Sequence, residues 1–225
     1  MKELSKEEKQ TRIAKNVARL IDDDKSYSVI NLGVGIPTLV ADYLEREDVY
    51  VIAENGMLGV GPIVTGDEVV DNDLINAGRQ NVKETPGCVY FSSDFAFGLI
   101  RGGHIDATVL GAFEVDKDAN VANWIIPGGK QLGVGGAMDL VSGAKKVIIA
   151  MTHTSKNGSK LVQQCTLPMT SKGTVSIVVT EYAVFQFIEE KLTLVKIAPE
   201  VTVDELREIT DIEFAVNDCL RPFIV

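Results

Sequence analysis

Short apolar runs that do not alternate with polar residues constrain the fold of this chain more than any other feature. The clearest run is Val-Ile-Ile-Ala at 147–150, within a strand predicted over residues 146–150. Strands with this pattern are buried on both faces and belong to largely parallel sheets that are covered by helices. The other predicted strands are residues 29–32, 49–53, 89–91, 107–110, 175–179 and 192–195. The sequence therefore predicts an α/β fold with an open, mostly parallel sheet and helices on both faces.

Capping signals predict where the helices begin and end. Ser5 followed by Glu8 forms a capping box, and apolar residues at helical spacing continue to a predicted end near Asp22. Further helix starts are predicted at Pro37, at Asp94 for a helix that ends at Gly102, and at Thr202 with Glu205. The density of glycine between residues 56 and 67 predicts turns in that segment.

The length and the charge of the chain limit its organisation and its partners. The 225 residues contain no linker, internal repeat or low-complexity segment, so one domain is predicted over residues 1–225. Acidic residues number 32 and basic residues 22, which gives a formal net charge of −10. Because nucleic acids and anionic membranes repel such a chain, neither is expected as a partner.

The cysteines, the histidines and the amino terminus indicate a chain without a metal or a targeting segment. Cys88, Cys165 and Cys219 are odd in number and form no C-x-x-C pair, which argues against a disulfide framework and a cysteine-rich zinc site. His104 and His153 belong to no ligand cluster, so no metal is expected. The charged amino terminus and the lack of an 18-residue apolar run favour a cytoplasmic protein.

Glu54 is the first candidate for a reactive group. It directly follows the apolar strand at 49–53 and precedes Asn55 and Gly56. Ligands of open α/β sheets gather beyond the carboxyl ends of the strands, where the sheet holds a carboxylate rigidly. A strand-end glutamate also commonly serves only to cap a turn, and the local pattern leaves both interpretations open.

The second candidate is the glycine-rich segment Gly-Val-Gly-Gly-Ala-Met-Asp at 133–139. Glycines that open a short helix leave backbone N–H groups directed outward, which suits a phosphate or a developing oxyanion. Met138 breaks the G-x-G-x-x-G pattern, so a dinucleotide site is not predicted, and a tight helix-packing turn is an equal alternative. No G-x-S-x-G and no P-loop motif occurs, which argues against a serine hydrolase and a P-loop nucleotide hydrolase.

Four motifs, taken together, resemble those of family I CoA-transferases in their order and spacing. They are Asn-Leu-Gly-Val-Gly-Ile-Pro at 31–37, Glu-Asn-Gly-Met-Leu-Gly-Val-Gly at 54–61, Ile-Asn-Ala-Gly at 75–78 and the segment at 133–139. The chain resembles the B (β) subunit of the two-chain 3-oxoacid type from residue 13 to residue 222. The resemblance implies a three-layer α/β/α sandwich of the kind shared by CoA-transferases and sugar-phosphate isomerase-like proteins.

The resemblance also implies roles for particular residues. Glu54 matches the catalytic nucleophile, Gly135 and Gly136 match the glycines whose N–H groups support the oxyanion, and Asn31 matches a contact to the thioester region. Ala53 departs from the serine that precedes the nucleophile in the family, which removes a hydroxyl from that position. The other positions assigned to substrate or CoA binding are Gly33, Gly35, Asn55, Gly56, Asn76, Arg79, Gly133 and Met138.

The implied reaction moves CoA from an acyl-CoA to a short-chain acid through a glutamyl-CoA thioester on Glu54. Coenzyme A is then a substrate, and no cofactor is expected. Acetoacetate is the favoured acid, while acetate, butyrate, succinate and 3-oxoadipate remain open. The active site of the family lies between A and B chains that form an α2β2 heterotetramer, so an A (α) chain of CoA-transferase type is the expected partner. Arg79, Lys83 and Lys130, or that partner, are expected to offset the negative charge of CoA.

Two other functions remain open at this stage. An acyl-CoA hydrolase on the same scaffold would differ only in admitting water to the Glu54 adduct. A non-catalytic domain that senses anions or sugar phosphates shares the general architecture, but such a domain needs no strand-end carboxylate beside glycine.

Overall fold

A sheet of ten strands forms the centre of the computed structural model, which describes residues 4–66, 69–76, 78–129 and 133–225. The strands of the described residues are β1 (Val29–Leu32), β2 (Tyr50–Ala53), β3 (Met57–Ile63), β4 (Val82–Tyr90), β5 (Ala107–Leu110), β6 (Glu114–Asp116), β7 (Val121–Ala122), β8 (Lys146–Ala150), β9 (Thr154–Ser155), β10 (Gly158–Ser159), β11 (Leu161–Val162), β12 (Ile177–Val179), β13 (Ala183–Ile188), β14 (Lys191–Ile197) and β15 (Ala215–Arg221). Strands β9 and β10 form a hairpin, and β11, β6 and β7 form a small second sheet.

The central sheet has the order β15-β14-β13-β12-β8-β5-β1-β2-β3-β4. Its five middle strands, β12, β8, β5, β1 and β2, are parallel, and antiparallel pairs flank them on both sides. The predicted mostly parallel sheet is therefore confirmed. Since parallel strands end at the same edge, the segments that follow β1, β2, β5 and β8 meet there.

Helices cover this sheet. They are α1 (Lys6–Asp22), a 3-10 helix (Ile36–Tyr43), α2 (Ser93–Arg101), α3 (Ala137–Gly143) and α4 (Val203–Glu208). Helix α1 packs against the 3-10 helix, β8 and β12, while α2 packs against α3, which also contacts β5. All four residues of β5 are buried, as expected for a strand that is covered on both faces.

Both predicted capping boxes are present. At the start of α1, the Ser5 hydroxyl accepts the Glu8 N–H at 3.2 Å, and the Glu8 carboxylate accepts the Ser5 N–H at 2.8 Å. Thr202 and Glu205 make the same pair of bonds at α4. The prediction for Asp94 was wrong by two residues, because Ser92 is the N-cap of α2 and Asp94 lies in its first turn.

The turns predicted for residues 56–67 were wrong over most of that segment. Residues 57–63 form β3, which pairs with β2 and β4 in antiparallel orientation. A Cβ on Gly61 would lie 2.7 Å from the Lys83 carbonyl oxygen, and Gly59 has a φ of +96° beside a register shift in the β3–β4 pair. The glycines therefore permit close strand approach and irregular pairing. Strands β13 and β15 were also not predicted.

Among the described residues, no helix combines the length and the apolar character that crossing a membrane requires.

Candidate active site

A cavity of about 810 Å³ opens at the carboxyl ends of the central parallel strands. This volume is within the range of small-molecule sites, which is about 300–1,000 Å³. Residues that follow β1, β2, β5 and β8 line it, together with the glycine-rich segment before α3. The predicted site residues on its wall are Asn31, Gly33, Gly35, Glu54, Arg79, Gly133, Gly135 and Gly136.

Glu54 is the first residue of the tight turn that joins β2 to β3. The Gly56 N–H donates to the Ala53 carbonyl at 3.0 Å, and Ala53 pairs with Met57 across the hairpin. Gly56 is buried, has a φ of +117°, and leaves only 1.9 Å between a Cβ at its position and the Phe91 carbonyl oxygen. Gly56 therefore shapes the turn that presents Glu54 to the cavity, although it does not line the cavity itself.

The glycine-rich turn lies directly against the Glu54 side chain. A Cβ on Gly136 would be 3.4 Å from Glu54 Cγ and 3.3 Å from the Phe97 ring. Gly136 is the N-cap of α3, and Gly135 before it has a φ of +52°. The fold thus brings together the two candidates that the sequence singled out, in a space that leaves little room for a larger residue.

Asn31 lies on the floor of the cavity and is almost fully buried. Its Nδ2 donates to the Ile52 carbonyl at 3.0 Å, and its Oδ1 accepts the Thr108 hydroxyl at 3.1 Å. Ile52 and Thr108 are the residues paired with Asn31 on β2 and β5. The Asn31 carboxamide therefore links β2 and β5, the two neighbours of β1, through hydrogen bonds. It thereby stabilises the end of β2, from which Glu54 extends.

The comparisons with known proteins identify the family. A family model described as coenzyme A transferase matches residues 10–208. The beta subunit of an acetate CoA-transferase from Escherichia coli K12 is 47% identical over 207 residues, which cover 91% of this chain and 93% of that protein. The chain belongs to the coenzyme A transferase family. The B-type subunit of a probable succinyl-CoA:3-ketoacid coenzyme A transferase from Bacillus subtilis is 44% identical over 204 residues, 89% of this chain and 94% of that protein.

Solved structures agree with the fold of this CoA-transferase chain. An acyl-CoA transferase from Escherichia coli O157:H7 has a TM-score of 0.73 at 23% identity, over 96% of this chain and 44% of that chain. The predicted family, enzyme class and three-layer α/β fold are thereby confirmed. The family assignment also favours an enzyme over a sensing domain.

Three other predicted site residues of the CoA-transferase chain line the cavity from separate segments. Gly33 lies between β1 and the 3-10 helix, where a Cβ would approach Leu110 Cδ2 to 2.9 Å. Gly35 is the N-cap of that 3-10 helix, with a φ of +92°. The exposed Arg79 has a φ of +61°, in the region that non-glycine residues seldom adopt.

Four of the predicted residues do not line the cavity: Asn55, Gly56, Asn76 and Met138. The exposed Asn55 side chain donates to the Ile75 carbonyl, and the Asn76 carboxamide accepts the Gln80 N–H at 3.0 Å. Met138 lies in α3 with 43% of its surface exposed. Of the predicted cations, Lys83 lies on β4 and Lys130 lies outside the described residues.

Lys160, Asn123 and Thr152 also line the cavity, and the sequence did not indicate them. Burial lowers the pKa of Lys160 to about 8, against the opposing effect of the Glu181 carboxylate. Nothing in the segment Gly-Ser-Lys-Leu-Val at 158–162 distinguishes this lysine from the others. Its place on the cavity wall depends on the pairing of β11 with β6, a contact between distant parts of the chain.

His153 lies wholly buried behind this wall. Its Nδ1 is 3.2 Å from the Thr180 hydroxyl, its Nε2 is 2.9 Å from the Thr210 hydroxyl, and burial lowers its pKa to about 4. The imidazole is therefore neutral at physiological pH, and both ring nitrogens are engaged in internal hydrogen bonds. Among the residues with a described position, no group of three or more His, Cys, Asp or Glu lies where it could hold a metal ion.

Proposed function

We propose that this chain is the B-type subunit of a two-chain CoA-transferase and that Glu54 is its nucleophile. The enzyme would move CoA between an acyl-CoA and a short-chain acid such as acetoacetate. The observation that carries the proposal is the contact between Glu54 and the glycine-rich turn on the wall of one cavity. The high similarity to proteins named as subunits of acetate and succinyl-CoA:3-ketoacid CoA-transferases supports it.

In the proposed mechanism, a Glu54 oxygen attacks the thioester carbonyl of the acyl-CoA. The carbon–sulfur bond breaks, leaving an acyl-glutamyl anhydride and CoA thiolate. The thiolate then attacks the Glu54 carbonyl, which releases the first acid and forms the glutamyl-CoA thioester. A second carboxylate reverses both steps and leaves as the new acyl-CoA. An ionised carboxylate suits this role because, unlike serine, it needs no adjacent base to act as a nucleophile.

Each addition step creates an oxyanion, which needs hydrogen-bond donors nearby. Gly135 and Gly136 are proposed to supply backbone N–H groups, since their turn lies against Glu54. Removal of one donor from comparable sites raises the barrier by about 3–4 kcal/mol. The absence of side chains at both positions lets the thioester approach the backbone closely.

The proposed partner is an A (α) chain, in an α2β2 assembly, that completes the site. Both the anhydride and the thioester hydrolyse, so water has to be excluded during turnover. Val34, an apolar residue that lines the cavity, has 63% of its surface exposed. Exposed apolar residues next to a cavity are typical of an interface that a second chain covers. In the E. coli O157:H7 structure, this chain covers only 44% of the polypeptide, so more than half of that polypeptide lies outside the matched part.

Trapping of the thioester tests the proposal. The chain is co-expressed with its α chain, incubated with acetyl-CoA and then treated with borohydride, which reduces a glutamyl thioester to an alcohol. Peptide mass spectrometry is expected to find the reduced residue at position 54. Glu54→Gln replaces the nucleophilic carboxylate with a neutral amide and is expected to abolish both the adduct and turnover.

The exposed Glu47 provides a matched control, because Glu47→Gln removes a carboxylate from the preceding segment and is expected to retain the adduct at Glu54. Continued turnover with an unmodified residue 54 would refute the mechanism. An adduct that forms and is then lost to water without transfer would instead indicate a hydrolase.

A further inference from the structure

The cavity extends well beyond the position of Glu54. Strands β2, β1, β5 and β8 stand side by side, and the lining includes Glu54 after β2 and Thr152 after β8. Neighbouring strands are about 4.8 Å apart, so the ends of β2 and β8 are separated by about 14 Å. The part of a substrate that lies near β8 is therefore remote from the carboxyl group that reacts at Glu54.

Polar side chains lie on the part of the cavity wall that is formed beyond β8 and by the small second sheet, which we call the far wall. Thr152 follows β8, Asn123 follows β7 and Lys160 precedes β11, while apolar residues such as Leu110, Phe113 and Met151 also line the cavity. A few polar groups at one end of an apolar cavity typically fix the orientation of a ligand and select its functional groups.

Lys160 is held firmly on this wall by its backbone. Its N–H donates to the His153 carbonyl at 3.0 Å, and its carbonyl accepts the Val115 N–H at 2.9 Å. His153 follows β8, and Val115 belongs to β6, so two separate parts of the fold anchor the position of Lys160. The backbone of Lys160 is thus anchored on both sides, which fixes the point on the cavity wall from which its side chain extends.

The Lys160 ammonium forms no ion pair with an acidic group among the residues that the structure describes. The buried Glu181 contributes a favourable charge, but its carboxylate accepts the backbone N–H of His153 at 2.7 Å and lies 3.5 Å from the Lys9 ammonium. With a pKa of about 8, Lys160 is mostly protonated at pH 7. A partly buried ammonium at a cavity wall strongly favours an oxygen acceptor.

We infer that Lys160 binds an oxygen on the tail of the acid substrate, either a 3-oxo group or a second carboxylate. This inference rests on the proposed function. Lys160 is anchored to the segments that follow β5 and β8, two to three strands from β2, which is about 10–14 Å. Glutamate and lysine side chains extend about 4 Å and 6 Å, and a four-carbon acid is about 5 Å long. The combined reach of about 15 Å exceeds this separation, so such an acid can contact both Glu54 and Lys160 without full extension of either side chain. The far wall then selects oxygen-bearing acids over plain alkyl acids.

The experiment compares acids in the assembled two-chain enzyme. Acetoacetate, succinate and butyrate share a four-carbon chain, and only butyrate lacks an oxygen on its tail. Lys160→Met keeps the length of the side chain and removes its charge. We expect kcat/KM for acetoacetate, succinate or both to fall about 10- to 100-fold, mainly through KM, because a hydrogen bond to a charged group is lost. The kcat/KM for butyrate is expected to change by less than about threefold.

Two further variants separate recognition from stability. Lys160→Arg keeps a cation and is expected to recover part of the lost activity. Lys156→Met removes an exposed lysine four residues earlier in the same hairpin region and is expected to leave all three acids unaffected. A larger loss of kcat/KM for acetoacetate indicates that Lys160 binds the 3-oxo group, and a larger loss for succinate indicates that it binds the second carboxylate.

An equal loss for all three acids, or no loss for any, would overturn the role of Lys160. The Glu54 adduct is measured in the same preparations. Its absence from the wild-type enzyme would refute the proposed mechanism, while its presence beside an unchanged acid preference in Lys160→Met would refute only the inference about Lys160.

Discussion

The turn that presents Glu54 depends on Gly56, and a single methyl group tests this dependence. Alanine at position 56 would have a φ of +117° and would place its Cβ 1.9 Å from the Phe91 carbonyl oxygen. That carbonyl is part of the backbone, and the Phe91 N–H is bonded to the Gly56 carbonyl at 2.9 Å. Relief of the clash therefore requires the β2–β3 turn and the start of α2 to move apart.

The expected cost of Gly56→Ala has two parts. The left-handed conformation contributes about 1–2 kcal/mol for a residue with a Cβ, and overpacking against the backbone contributes about 1–3 kcal/mol. The sum of about 2–5 kcal/mol is a large part of a typical free energy of unfolding, which is about 5–15 kcal/mol. For a domain of this size, it corresponds to a decrease in Tm of about 4–20 °C.

Thermal unfolding of the assembled enzyme measures this effect, with Gly173→Ala as the matched control. Gly173 has a φ of +65°, and the nearest neighbour of a methyl group there would be an oxygen 4.0 Å away, so only the conformational cost applies. We expect Gly56→Ala to lower the Tm more than Gly173→Ala does. Transferase activity below the Tm is expected to fall about 100-fold in Gly56→Ala alone, because a displacement of about 1 Å misplaces the Glu54 oxygen. Equal Tm values and normal turnover in both variants would refute the reasoning.

Two other predictions concern the turn before α3 and the buried histidine. Gly136 has an ordinary φ of −84°, so we expect Gly136→Ala to change the unfolding free energy by at most about 1 kcal/mol. We expect kcat to decrease about tenfold or more, because the new methyl group contacts Glu54 and Phe97. A normal kcat in this variant would contradict the proposed contact. The pKa of His153 is lowered to about 4, so the unfolded chain takes up a proton between pH 6.5 and 4 that the folded chain does not. Stability from this group is full above pH 6.5 and declines by about 3 kcal/mol as the pH falls to 4. Urea unfolding is expected to show a smaller loss over that range in His153→Asn, and identical pH profiles would count against the assignment.

Local sequence signals predicted the regular elements where the local and the tertiary preferences agree. The capping boxes at Ser5 and Thr202 require only residues within one helical turn, and they are present as predicted. The apolar run at 147–150 is long enough to indicate a buried strand by itself, and β8 is found there. The β3 strand was missed because its glycines are favoured in turns, while close contact with β4 determines its actual conformation.

The candidate site likewise contains residues that local sequence signals predicted and features that depend on the fold. Glu54 and the segment at 133–139 were predicted from adjacent residues and from the resemblance to a family. The Asn31 bonds to both neighbouring strands, and the position of Lys160 on the far wall, depend on which strands are neighbours in the sheet. No spacing within the sequence carries that information, because neighbouring strands in a parallel sheet are far apart along the chain.

Interactions among nearby residues govern caps, apolar runs and glycine turns, so these local signals indicated the kinds of element and the two segments able to support chemistry. The contact of the Glu54 side chain with Gly136, and the place of Lys160 on the wall of the same cavity, became visible only in the folded chain. Those arrangements follow from the order of the strands and from the burial that this order produces. The packing of distant segments against one another, which minimises exposed apolar surface, is the physical reason that they meet.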